Sequence, residues 1–140
     1  MFHKRDARLD LIADLDIFAH LDRKQLARIA ALSTQVTLPE GTVLCRRGAI
    51  GREAFVLVEG SVAVSLDTEP IAVLRPGAVF GEMSLLDGEP RVANVTATTQ
   101  VSVLVLTRQE LVSVLDSVPQ VAARVYSTLG ARKRDLALSA

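Results

Sequence analysis

The stretch Phe80–Val95 reads FGEMSLLDGEPRVANV. Phe80, Met83, Leu85, Leu86, Val92, Ala93 and Val95 give it the composition of a core, yet it also carries Glu82 and Arg91, nine positions apart. Gly81, Gly88 and Pro90 stand beside them. A buried charge without a partner is costly, so each of these two side chains needs one, from the protein or from a ligand. The segment "EMSLLDG" has room for one or two helical turns ending at Gly88, since glycine favours the left-handed residue that closes a helix. Pro90 then keeps the residue before it extended, and strand character resumes at "VANVTA". The reading is a short helix wedged between two strands.

The start of such a helix exposes unsatisfied N–H donors and a partial positive charge, which together suit an anion. Gly81 lets a chain or ligand come close. The planar fork of Arg91 can hold a phosphate through two parallel bonds. Glu82, beside any such anion, is useful only as an acceptor for hydroxyl groups. Phosphate on one side and hydroxyl on the other describe a sugar phosphate. A buried Glu82–Arg91 ion pair that closes the loop accounts for the same residues without a ligand.

Outward from this segment the periodicity divides the 140 residues into helix, strands and helix. Over 7–32, Leu11, Ile12, Leu15 and Phe18 form an apolar stripe. Asp22 with Gln25 spells a capping box opening a second helical segment, whose buried face is Leu26, Ile29 and Ala30. Over 35–106, short strand-like runs are separated by turn signals: "TQVTL", "TVL", "EAFVLVE" and "SVAVSL" across Glu59-Gly60, two strands across Pro76-Gly77, and two in "VANVTATTQVSVLVL". Over 107–138 helix returns, with Thr107 and Glu110 as a second capping box and Leu111, Val114 and Leu115 at helical spacing. Pro119 marks a break, and the last helix offers the stripe Val118, Val121, Ala122, Val125 and Leu129. These signals suggest a mainly β chain, an all-β roll or sandwich flanked by helices at both ends, in a single domain over 1–140.

FGEMSLLDGEPRVANV resembles the phosphate-binding cassette of cyclic nucleotide-binding domains: Phe-Gly-Glu, a small apolar helix, then Pro-Arg, a variable residue, Ala, another variable residue and Val. The Glu-to-Arg interval matches without insertion, and the likeness extends over essentially the whole chain, including the glycines Gly48, Gly51, Gly60 and Gly77. The resemblance implies an eight-stranded antiparallel β roll, jelly-roll-like, with N-terminal helices and C-terminal lid helices, and a sensor that binds cAMP or cGMP and catalyses nothing. It implies ligand contacts from Gly81, Glu82, Met83, Ser84, Arg91, Val92 and Ala93. Arg91 would take the exocyclic phosphate oxygens, Glu82 the ribose 2′-hydroxyl, and the N–H groups of Ser84 and Val92 the rest of the phosphate. In cGMP-selective kinase relatives the residue after the Arg is often Thr, which meets guanine. Val92 has no such donor, which tilts the ligand to cAMP, although a valine there is also explained by simple burial. The expected response is that ligand orders the Gly81–Arg91 loop and the helices from Thr107 onward, whose apolar stripes can pack on the roll or on a partner, reposition over the base.

Other chemistries find little support. The two histidines, His3 and His20, precede the strands, so neither a Ser/His/Asp set nor a His-rich metal site is spelled. Lys plus Arg equals Asp plus Glu at 16 each, which gives no electrostatic case for nucleic acid or anionic membrane. The lone cysteine, Cys45, reads as a packed thiol and fits a reducing, cytoplasmic setting. No run approaches the roughly 20 apolar residues of a membrane span. Arg132, Lys133 and Arg134 read as a solvated helix end, and no DNA reader is expected in this chain. The expected partners are the nucleotide and an effector domain or protein of open identity, with a homodimer also open. The competing reading is a ligand-free scaffold whose C-terminal stripe docks a partner.

Overall fold

A computed structural model describes residues 7–128. Helix α1 (Ala7–Ala13) and a 3-10 turn (Asp16–Phe18) lead to α2 (Arg23–Leu32). Eight strands follow: β1 (Thr34–Leu38), β2 (Val43–Cys45), β3 (Glu53–Glu59), β4 (Val62–Ser65), β5 (Pro70–Leu74), β6 (Val79–Phe80), β7 (Asn94–Ala97) and β8 (Val101–Thr107). Helix α3 (Glu82–Asp87) lies between β6 and β7, and α4 (Arg108–Ser117) follows β8. Residues 119–128 are again helical. Leu129 and the basic run Arg132–Arg134 lie outside the described residues, as does His3.

The strands make two four-stranded sheets, in the orders β1-β8-β3-β6 and β2-β7-β4-β5, with every pairing antiparallel. This is the expected roll. Its two central strands explain why "FVLV" and "VSVLVL" do not alternate. One face of β3 (Phe55, Leu57) and of β8 (Val101, Val103) fills the interior between the sheets. The other face (Ala54, Val56 and Val58 of β3; Leu104 and Leu106 of β8) packs under the helices. A strand buried on both faces loses its polar period.

The helices form one layer over the first sheet. Ile12, Phe18, Leu26 and Ile29 join Leu111, Val114, Val118, Val121 and Val125 in a single apolar cluster. The C-terminal stripe is therefore engaged within the chain, and Arg124 Nη1 donates to the carbonyl of Ile17 at 3.0 Å. Leu11 departs from expectation, being 41% exposed. The helix ends at Ala13 and tightens, with Leu15 N–H bonding to Ile12 O at 3.1 Å. This turn brings Leu15, Ile17 and Phe18 inward instead.

Both capping boxes form. Gln25 N–H donates to Asp22 Oδ1 at 2.7 Å and Asp22 N–H to Gln25 Oε1 at 3.1 Å. Glu110 N–H donates to Thr107 Oγ1 at 3.2 Å and Thr107 N–H to Glu110 Oε1 at 2.9 Å. Pro119 restarts the helix after Val118, whose backbone (φ −130°, ψ 84°) interrupts it.

Because the Thr107 hydroxyl satisfies an otherwise orphaned donor of α4, Thr107→Ala is expected to destabilise the protein by about 1 kcal/mol. Urea denaturation checks this, with Thr107→Ser retaining most of the stability.

Candidate functional site

Strand β6 delivers the chain to the site. It pairs with β3 in the register Phe55↔Phe80, and the two rings stack with centroids 5.1 Å apart. Such a pair contributes about 0.5–1.5 kcal/mol beyond burial and fixes where Gly81 begins. Gly81 at φ 79° and Gly88 at φ 74° bracket α3 in left-handed conformations, which other residues adopt only with strain. Gly88 N–H closes the helix on Ser84 O at 3.0 Å.

All seven residues expected at the site, Gly81, Glu82, Met83, Ser84, Arg91, Val92 and Ala93, line one cleft, together with Cys45, Val64, Leu74, Phe80 and Val95. Its volume is about 70 Å³, on a scale where one water needs roughly 10–15 Å³. The floor is the apolar interior of the roll. Glu82 is 2% exposed and Arg91 8%, so the acid and the base are both out of water.

The Arg91 guanidinium is held by main-chain oxygens. Nη1 donates to Gly81 O at 2.6 Å and Nη2 to Glu53 O at 2.7 Å. These two bonds do not exhaust the five donors of a guanidinium. The backbone of Arg91 is fixed as well, its N–H donating to Ala49 O at 2.7 Å and its carbonyl accepting from Gly48 N–H at 2.7 Å. The loop between β2 and β3 thus splints the segment that carries the arginine.

Val92 differs from the core reading, being 43% exposed at the mouth of the cleft. It lies in the irregular stretch before β7, which begins at Asn94 and so later than the "VANV" pattern suggests. Residues that sequence reasoning did not assign to the site are Glu53, which acts through its carbonyl, and Cys45, Val64 and Leu74, which shape the cleft. A main-chain acceptor leaves no mark in residue type, whereas the alternation of β2, β4 and β5 does carry the apolar lining.

Cys45 is buried, and burial pushes its thiol up to about 11 from an ordinary 9.0. The Arg91 charge pulls the other way and Glu82 reinforces burial. This is the packed thiol expected from the sequence. Among the described residues no group of three or more His, Cys, Asp and Glu is placed to hold a metal ion, and no helix is long and apolar enough to cross a membrane.

Residues 35–118 match the family described as cyclic nucleotide-binding domain. The chain is 38% identical over 130 residues to a cyclic nucleotide-gated potassium channel of Mesorhizobium japonicum, covering 93% of this chain and 36% of the channel. The catabolite activator protein of Thermus thermophilus superposes with a TM-score of 0.75 at 26% identity, covering 88% of this chain and 60% of that one. A structure described as cAMP-bound PfPKA-R superposes with a TM-score of 0.81, covering 91% of this chain and 44% of that one. Its 23% identity bears on the fold. The chain spans 36%, 33% and 41% of the length of three curated relatives.

A thiol held at about 11 is protonated throughout the neutral range. Folded protein at pH 8 is therefore expected to leave Cys45 unreacted with a disulfide reagent, and urea-unfolded protein to react fully. The unfolded chain ionises first as pH rises, so it binds fewer protons than the folded one between about 9 and 11. Stability should fall across that window, as measured by urea titration at each pH.

Proposed function

Because the chain belongs to the cyclic nucleotide-binding domain family, we propose that its cleft binds a cyclic nucleotide, cAMP in preference to cGMP, as a regulatory sensor. The observation that carries this reading is the buried, carbonyl-fixed guanidinium of Arg91 among the other expected contact residues. Arg91 takes the exocyclic oxygens of the cyclic phosphate. The N–H groups of Ser84 and Val92 complete the cradle, with Met83 and Ala93 beside them, and Gly81 permits close approach. Glu82 accepts from the ribose 2′-hydroxyl. The sugar phosphate lies against these residues and the base extends toward the mouth, where Val92 is exposed and offers no donor to guanine.

The same carbonyl bonds also support the ligand-free scaffold reading, since they provide Arg91 with protein partners. Calorimetric titration of the whole chain with cAMP and with cGMP separates the two. Heat from cAMP with the weaker cGMP response supports the sensor; no heat from either, after any bound nucleotide is removed, supports the scaffold. Arg91→Ala is expected to raise the cAMP Kd about 30-fold, corresponding to about 2 kcal/mol for a lost charge-assisted bond. An unchanged Kd would remove Arg91 from its assigned role.

The response we propose is a shift of the helices after β8. Leu85 of α3 shares its cluster with Leu111 and Val114 of α4, and Arg108 Nε donates to Leu85 O at 3.0 Å. A ligand that moves α3 thereby acts on α4, provided it binds the two arrangements unequally. Amide exchange over residues 108–128 is expected to change on cAMP addition by more than it does over β3 and β8. Uniform change, or none in the helices, would contradict the switch.

A further inference from the structure

We propose that Gly51 is a positioning residue for the nucleotide site, one that acts by leaving room for the Arg91 guanidinium. The inference rests on the reading that Arg91 holds the phosphate. A Cβ at Gly51 would lie 2.7 Å from Arg91 Cζ, 2.9 Å from its Nε and 2.7 Å from Ser84 Cβ. Contacts that short force a displacement, and two of the three are with the guanidinium itself. On another side, a Cβ at Gly81 would lie 2.7 Å from Arg91 Nη1. The guanidinium therefore occupies a slot between two glycines, its Nη atoms anchored on the carbonyls of Gly81 and Glu53.

Backbone conformation separates the two glycines of the β2–β3 loop. Gly48 has φ 86°, and a Cβ there would meet nothing within 4 Å, so the turn itself accounts for it. Gly51 is not among the positive-φ glycines. Alanine is open to its backbone, and the atoms it would meet are those of Arg91 and Ser84. Glycine at 48 serves the chain path, while glycine at 51 serves a side chain forty residues later. Contact groups in a binding site must hold their geometry to within about 0.5 Å, and an added methyl at 51 exceeds that tolerance.

Gly51→Ala in the whole chain tests this, with two readings. One is the Arg91 Nε–H resonance of the free protein by heteronuclear NMR; the other is cAMP affinity by calorimetry. We expect the resonance to move and exchange faster with water, and Kd to rise tenfold or more. Gly41→Ala is the control: its φ is 89° with nothing within 4 Å, so it should lower the melting temperature and leave both readings unchanged. A resonance that stays in place, or an affinity within twofold of wild type, overturns the proposal. If wild-type protein binds neither cAMP nor cGMP, the sensor reading fails, and the resonance alone then decides whether Gly51 positions Arg91. Should Gly51→Ala not fold, the same readings are taken on Gly51→Ala/Ser84→Gly against Ser84→Gly alone, because only the Arg91 contacts then remain.

Discussion

A guanidinium taken out of water must be surrounded by acceptors, and Arg91 finds them on the main chain of two distant segments. Glu53 O lies at the first residue of β3, and Gly81 O immediately precedes α3. Each bond constrains the backbone as well as the side chain. The β2–β3 loop, the start of α3 and the irregular stretch before β7 must all stand in register for the two bonds to form together. The reciprocal bonds of Arg91 with Ala49 and Gly48 add a second tie between the same segments. Charge burial, which is destabilising in isolation, is here the condition that fixes the wall of the cleft.

That wall stands on strands with two different neighbours. β3 and β8 present Phe55, Leu57, Val101 and Val103 to the interior of the roll and Ala54, Val56, Leu104 and Leu106 to the helices. The same two strands therefore join the interior cluster that holds Cys45, Phe80 and Val95 of the cleft lining to the platform under the helical layer. A deletion in either cluster leaves a void that its neighbours fill only in part, so the two layers share their stability.

Legibility in the sequence follows the range of the forces involved. Capping boxes at Asp22 and Thr107, the αL closure at Gly88 and the break at Pro119 are decided within four residues, and each stands where the residue types put it. Leu11 was misleading because a 3-10 turn a few residues on changes which side of the chain faces inward. Glu82 and Arg91 stood out because they are charged within an apolar stretch, whereas Met83, Val92 and Ala93 carry no such mark and entered only through the resemblance. Gly51 and the carbonyl of Glu53 were not legible as parts of the site. Their contribution is an absent atom and a backbone oxygen, and both act on a residue about forty positions away.

The segment from Phe80 to Leu85 joins the two apolar clusters within six residues. Phe80 belongs to the interior of the roll and is clamped by Phe55, whereas Leu85 belongs to the helical layer with Leu111 and Val114. Packed cores resist compression and transmit displacement rather than absorb it. If Phe80 stays fixed, a rotation of α3 about Gly81 has its freest response at the far end, where Leu85 meets α4 and its carbonyl accepts from Arg108. The proposed sensing residues lie between the clamped end and the helical contact. In the proposed switch, a small change in the cleft reaches the helices after β8 through Leu85 and its bond from Arg108.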